Sequence, residues 1–306
     1  MNQCSNKILM VQPSNFQFNV ETAKNNYYQK NDNSSYQSIQ EKALNEFLIL
    51  SNKLKEAGVE VIIAEDSPTP MTPDSIFPNN WYISEPNGKL FLCPMFAENR
   101  RLERKKFLGT LINNISSENL EILNLISEEN NNKFLEGTGA LVLDRVNKIA
   151  YGSLSMRCNK ELFEIFSKKH NYKMVAFHSF QTVENKRLPI YHTNVMMAIC
   201  NDFAILCKDS IDDHCEQKNL IDTIKNSGKE IIFISEEQTN NFAGNVIQVL
   251  GKNNQLYTLM SDTAYKAFTK EQIAIMEKNS IIIHSDISTI EKYGGGSVRC
   301  MIAEIF

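Results

Sequence analysis

The chain has 306 residues, 42% of them hydrophobic and 22% charged, with 32 basic against 36 acidic side chains and a formal charge of −4. This is the composition of a globular protein with a substantial core. The acidic balance excludes nucleic acid as the main partner, since phosphate binding needs a basic surface, and no apolar run reaches the ~18 residues that span a membrane. The polar start, Met1 to Lys7, carries no secretory pattern. Seven cysteines (Cys4, Cys93, Cys158, Cys200, Cys207, Cys215 and Cys300) lack C-x-x-C spacing and fit neither a disulfide framework nor a zinc site. A reduced, cytoplasmic setting is expected.

Five segments repeat one order of elements: strand, helix, strand, loop, strand. The first has Ile8–Val11, a helix near Gln40–Ala57, Val59–Ala64 and Trp81–Ile83. The second runs Leu90–Pro94, a helix near Arg100–Leu111, Leu120–Ile126 and Ala140–Leu143. Within it, the charged run Arg100–Lys106 reads as a solvated helix face. The third has Ala150–Leu154, a helix near Lys160–Lys169, Lys173–His178 and Asn194–Ile199. The fourth has Phe203–Cys207, a helix near Asp213–Asn226, Glu230–Ile234 and Asn245–Leu250. The last has Leu256–Met260, one helix near Thr263–Lys278, Ile281–His284 and a strand over Val298–Ile305. The strands are continuous apolar runs, as in sheets buried under helices. No segment buries its apolar face alone, so the five are expected to pack about a common axis as one α/β propeller domain, residues 1–306. An ordinary doubly wound sheet is disfavoured because no G-x-G-x-x-G is present.

In such an assembly the entries to the closing strands converge on the central channel. They read Phe77-Pro-Asn-Asn-Trp81, Leu135-Glu-Gly-Thr-Gly139, Tyr191-His-Thr-Asn194, Ala243-Gly-Asn245 and Gly294-Gly-Gly-Ser-Val-Arg-Cys300. A carboxylate, a histidine, a cysteine and several amides thus recur at one structural position, which is the signature of a site. Cys300 stands apart from the strand cysteines, which read as small buried hydrophobes, because Gly294–Gly296 lets backbone approach a ligand. His170, His178, His214 and His284 fall on helices and outer strands and read as structural.

The ordered segments Thr72–Trp81, Pro94–Arg104, Tyr191–Met197 and Gly294–Glu304 resemble the guanidine-modifying enzymes of the pentein fold, over nearly the whole chain. These include arginine deiminases, dimethylarginine dimethylaminohydrolases and amidinotransferases, and the chain most resembles the bacterial citrulline-hydrolysing branch. The resemblance implies five pseudo-symmetric ββαβ units around a channel. It makes Cys300 the nucleophile, His192 the acid/base and Glu136 the carboxylate that binds substrate nitrogens and holds His192. Arg157 matches the carboxylate-binding arginine, a role suited to a bidentate fork, and Arg101 is a second candidate. Asp74 is either a pocket acid or a turn former after Pro73. The Asn15–Asn19 loop is expected in the pocket wall, although relatives usually carry Gly near Gln17.

Two departures bear on the substrate. Arginine-processing relatives place Asp where this chain has Asn80 and Asn194. A guanidinium offers only donors and suits carboxylates, whereas a neutral ureido group adds a carbonyl acceptor that an amide can meet. Hydrolysis of citrulline to ornithine, carbon dioxide and ammonia is therefore expected. An arginine or methylarginine hydrolase is the alternative, followed by an amidinotransferase or a non-catalytic ribosome-binding pentein. The substrate is a small molecule, and no metal or organic cofactor is implied.

Overall fold

The computed structural model describes every residue except Met1, Asn87 and Glu118. Strand β1 (Lys7–Gln12) buries Ile8, Leu9, Met10 and Val11 together. The helix Tyr36–Glu56 follows, opened by the Ser35 side chain accepting from Ser38 N–H. It turns Ile39, Ala43, Phe47, Leu50 and Leu54 inward at the three- and four-residue spacing of one face. Strand β2 (Glu60–Glu65) then lies parallel to β1, from Lys7 opposite Glu60 to Gln12 opposite Glu65.

This arrangement recurs along the chain. β3 (Tyr82–Glu85) pairs antiparallel with β4 (Lys89–Leu92), and the helix Glu98–Asn114 crosses to β5 (Glu121–Asn124), parallel to β4. β6 (Leu141–Asp144) and β7 (Ile149–Ser153) are followed by the Asn159-capped helix Lys160–His170 and by β8 (Lys173–Phe177). A hairpin of β9 (Phe180–Val183) and β10 (Lys186–Pro189) comes next. β11 (Met197–Ile199), β12 (Phe203–Leu206), the Asp213-capped helix His214–Asn226 and β13 (Glu230–Phe233) repeat the pattern. So do β14 (Ile247–Leu250), β15 (Leu256–Ser261) and β16 (Ile281–Ser285). Finally β17 (Ala303–Ile305) returns to pair antiparallel with β1, placing Lys7 opposite Ile305. Among the described residues, five three-stranded sheets of one connectivity result, the last built from both ends of the chain. The fold is mixed α/β, and among the described residues no helix is long and apolar enough to cross a membrane.

The structure departs from the expected elements in several places. The last helix is two, Asp262–Ala267 and Lys270–Glu277, because Phe268 turns extended and Thr269 opens a new capping box with Gln272. The loop entries at Pro78–Asn80 and Gly137–Ala140 are single helical turns, and such turns also replace the expected strand starts at Thr193–Val195 and Val298–Met301. The hairpin of β9 and β10 was not expected, since its turn residues Glu184 and Asn185 adopt φ of +48° and +63°, a conformation that glutamate rarely signals. The run Arg100–Lys106 is not a solvated face, for Arg100, Glu103 and Arg104 are all buried. Each is paired, Arg100 with Glu103 and Arg104 with Glu129, as burial of charge requires.

Close backbone approach fixes the relation between neighbouring sheets. A β-carbon on Gly244 would stand 2.1 Å from the Val195 carbonyl oxygen, next to the turn that carries Asn194. On the exposed helix position Gly109 it would meet nothing within 4 Å. Gly244→Ala is therefore expected to destabilise by about 1–3 kcal/mol through overpacking, whereas Gly109→Ala stabilises by roughly 0.5–1 kcal/mol through helix propensity. Thermal unfolding followed by circular dichroism checks this, the two variants shifting Tm in opposite directions.

Candidate active site

Cys300 lies in the helical turn Val298–Met301, after the helix Ser288–Gly294 and the left-handed Gly295. It is buried, and its sulfur receives two amide donors: Nδ2 of Asn245 at 3.3 Å and Nδ2 of Asn194 at 3.5 Å. The Asn245 amide is oriented by backbone, because its Oδ1 accepts from Arg299 N–H at 3.1 Å and so turns its NH2 toward the sulfur. The Asn194 Oδ1 is buried without a partner.

A second group of side chains is built around Glu136. Glu136 is fully buried, accepts from Phe96 N–H at 2.8 Å, and meets His192 Nε2 at 2.7 Å and Arg157 Nη1 at 3.4 Å. Burial alone would raise its pKa, but the Arg157 charge and the His192 hydrogen bond hold it well below the usual carboxylate range. Burial lowers His192 to about 4, outweighing the opposite pull of Glu136. With Glu136 ionised and His192 neutral, Nε2 carries the proton and donates to the carboxylate, which leaves Nδ1 as an acceptor. A β-carbon on Gly139 would stand 2.8 Å from that Nδ1 and 2.3 Å from Nδ2 of Asn80. Glycine at 139 therefore lets both groups close on its backbone, and the notch they border is too narrow for a β-carbon.

Asn80 ends the turn Pro78–Asn80, and its Oδ1 accepts from Arg100 Nη1 at 2.6 Å while its Nδ2 is buried without a partner. Asp74 combines both expected roles. Its carbonyl closes the turn by accepting from Phe77 N–H at 2.9 Å. Its Oδ2 accepts from Asn19 Nδ2 and from the Thr22 hydroxyl, each at 2.9 Å. Burial pushes the Asp74 carboxyl up from its ordinary range despite Arg100 and these donors, and its Oδ1 has no partner.

The segment between β1 and the first helix contains no strand or helix and lies over these groups. Asn26 Nδ2 donates to the carbonyls of Gly294 and Gly295. The Arg157 fork, expected to be open for a carboxylate, is filled: Nε donates to Asn25 Oδ1 at 3.0 Å and Nη2 to the Thr22 carbonyl at 3.0 Å. Its guanidinium also sits 4.8 Å from the Tyr191 ring centre, and the Tyr191 hydroxyl donates to the Gly295 carbonyl. Of the Asn15–Asn19 loop, Asn19 reaches Asp74, whereas Gln17 Nε2 touches Met71 Sδ near the surface. Arg101 is spent elsewhere, donating to the carbonyls of Met95 and Phe96 with Glu129 3.6 Å away.

The structure thus brings Glu136, His192 and Arg157 into one hydrogen-bonded group and Asn194 onto Cys300, with Asn80 facing the same notch as His192. Asn245 is the residue missing from the expected site, and its position in the entry Ala243–Asn245 was the signal that pointed to it. No group of three or more His, Cys, Asp or Glu side chains is arranged to hold a metal ion among the described residues.

Comparison with curated protein sequences gives no match. Among solved structures, ArgZ, an arginine dihydrolase from the ornithine-ammonia cycle in cyanobacteria, is similar with a TM-score of 0.74 and 17% identity, over 97% of this chain and 40% of that one. The chain therefore spans less than half of full-length ArgZ. The ArgZ N-terminal domain bound to product gives 0.74 at 16% identity, over 98% and 97% of the two chains. A variant of DDAH from Pseudomonas aeruginosa complexed with citrulline gives 0.66 at 17%, over 99% of both chains. Identities this low show a shared fold. A family model described as N,N dimethylarginine dimethylhydrolase, eukaryotic, matches residues 12–306. The chain belongs to this N,N dimethylarginine dimethylhydrolase family, among the guanidine-modifying enzymes of the pentein superfamily.

Proposed function

We propose that the protein is a cysteine hydrolase that converts citrulline to ornithine, carbon dioxide and ammonia through a covalent adduct on Cys300. In this reading the five sheets are ββαβ units of one propeller domain, residues 1–306, closed around the cavity that holds the reacting group. The enzyme works in the cytoplasm, where its unpaired thiols stay reduced. The observation that carries the substrate choice is the hydrogen-bond polarity around the notch. Asn80 Nδ2, beside His192, is a buried donor without a partner, and Asn194 Oδ1, on the residue whose amide reaches Cys300, is a buried acceptor without one. A ureido group answers both, with its carbonyl oxygen and its N–H groups, whereas a guanidinium leaves the donor unmatched.

In the proposed reaction His192 Nδ1 takes the Cys300 proton, and the sulfur, supported by the amides of Asn194 and Asn245, attacks the ureido carbon. The bond to the terminal nitrogen breaks as His192 returns the proton, and ammonia leaves. Water, losing a proton to His192, then attacks the thiocarbamate. The carbon–sulfur bond breaks, the thiol regains its proton, and the released N-carboxy amine loses carbon dioxide to give ornithine. Glu136 holds Nε2 and receives the N–H groups of the substrate, and Arg157 takes the α-carboxylate once Asn25 and the Thr22 carbonyl release it. Arg101, tied to backbone, contributes at most to the rim. A second reading, hydrolysis of arginine or a methylated arginine, is favoured by the family match and by the ionised Glu136, which suits a cation.

Three measurements test this. Leaving a buried donor unpaired costs about 1–3 kcal/mol, so kcat/KM for citrulline is expected to exceed that for arginine by roughly ten- to a hundredfold. Preference for arginine or dimethylarginine moves the assignment to the second reading. Cys300→Ser keeps the fold but lowers turnover by about three orders of magnitude or more, and mass spectrometry of quenched wild-type enzyme finds the adduct on Cys300. The pH profile reports on His192. Its base form persists down to about 4, so kcat/KM stays level from pH 8 to about 5 and falls below, whereas an ordinary histidine brings the fall near 6.5. The unfolded chain binds this proton near 6.5 and the folded one does not. Stability is therefore also lost as the pH drops from there toward about 4, and the rates are normalised to the folded fraction seen by circular dichroism.

A further inference from the structure

We infer that the buried Arg100–Glu103 pair sets substrate choice by fixing which end of the Asn80 carboxamide faces the reacting carbon. This rests on the ureido reading of the notch and names the residues that impose it. An asparagine amide can present oxygen or NH2 to a cavity by a simple half-turn, so Asn80 by itself selects neither a ureido group nor a guanidinium. Arg100 removes the ambiguity. A guanidinium has donors only, so the Asn80 atom 2.6 Å from its Nη1 is the carbonyl oxygen and the NH2 points the other way. That NH2 is the buried, partnerless group beside Gly139 and His192.

Arg100 is itself immobile. Its Nε and Nη2 form a fork on the Glu103 carboxylate at 2.8 and 3.1 Å, one helical turn onward, and Nη2 also donates to the Phe77 carbonyl at 2.8 Å. Both side chains are buried, at 2% and 0% exposure, so no water competes for the fork. The pair touches neither Cys300 nor His192. It acts through Asn80 and is a positioning device. The same device explains how residue 80 reads out as specificity. An aspartate there would spend one oxygen on Arg100 and turn the other, an acceptor, to the notch, where a guanidinium N–H would meet it. Asparagine under the same clamp shows a donor, which the ureido oxygen meets.

The test replaces both charges together, because losing one alone strands the other, whereas a buried pair exchanged for apolar residues of similar volume is often tolerated. Wild-type, Arg100→Met/Glu103→Met, Asn80→Ala and the triple variant are assayed with citrulline and arginine, and folding is checked by thermal unfolding. In the double variant Asn80 is free to turn its oxygen to arginine, and the citrulline-to-arginine ratio of kcat/KM is expected to fall about tenfold. In the Asn80→Ala background the same pair of changes is expected to leave the ratio as it is, since the clamp then has nothing to hold. A purely structural role would lower both rates alike and keep the ratio. An unchanged ratio in the folded double variant overturns the inference, as does an equal change in both backgrounds. Should the double variant not fold, Arg100→Lys serves instead, keeping charge without the fork. Its ratio is expected to fall by less, and an unchanged one overturns the inference. A wild-type enzyme that prefers arginine defeats the ureido reading itself, an outcome visible before any variant is made.

Discussion

The pairing of β17 with β1 is the contact on which the site depends. It joins residues almost three hundred apart, with Leu9 opposite Ala303 and Lys7 opposite Ile305, and Cys300 sits in the turn immediately before it. The join is reinforced from the side. The Ser84 hydroxyl donates to the Glu304 carbonyl, and the Glu304 carboxylate meets Arg145 and Arg299. Closing so long a loop carries a large entropic cost before any contact repays it. The thiol therefore has no fixed neighbours until the chain is otherwise folded. Its two amide donors come from the third and fourth closing-strand entries, so sulfur and amides meet only in the complete assembly.

Charge is handled here by mutual neutralisation in the absence of solvent. Glu136 is stabilised as an anion by Arg157 and His192, Arg100 by Glu103, and Arg104 by Glu129. Breaking one partner of such a pair is far more damaging than never having built it. The benefit is directional. Two of these pairings turn a specific atom toward Gly139, Nδ1 of His192 in one case and Nδ2 of Asn80 in the other. The neutral amides at 80, 194 and 245 then shape polarity without adding a charge that burial would have to compensate.

Much of this was legible in the sequence. Central strands of the sheets, such as Ile8–Val11 and Phe203–Leu206, are continuous apolar runs, which burial on both faces selects. The entries rich in Gly, Asn and His marked the site because such residues in such turns have little packing value. Other features left no local trace. A helical turn of four residues has no periodicity to read, so Gly137–Ala140 reads as a loop running into a strand and Val298–Met301 as strand. The burial of Arg100 and Glu103 was hidden because charges three apart on a helix also describe a solvated face. The partners that decide between the two, Asn80 and the Phe77 carbonyl, lie some twenty residues away in the chain. Arg157 was read from its resemblance as a free clamp, and only the fold could reveal that Asn25 and Thr22 already occupy it.

That occupancy makes the protein its own competitor. Asn25 and the Thr22 carbonyl offer Arg157 the oxygen atoms that a ligand carboxylate would otherwise bring. A molecule using Arg157 therefore binds only the fraction of chains in which the covering segment has let go. Apparent affinity equals intrinsic affinity scaled by that fraction, so a segment closed ten times as often as open weakens binding about tenfold while leaving every contact in the bound state unaltered. Under the proposed role of Arg157, sequence changes along the covering segment tune how much substrate is needed without altering the reacting groups.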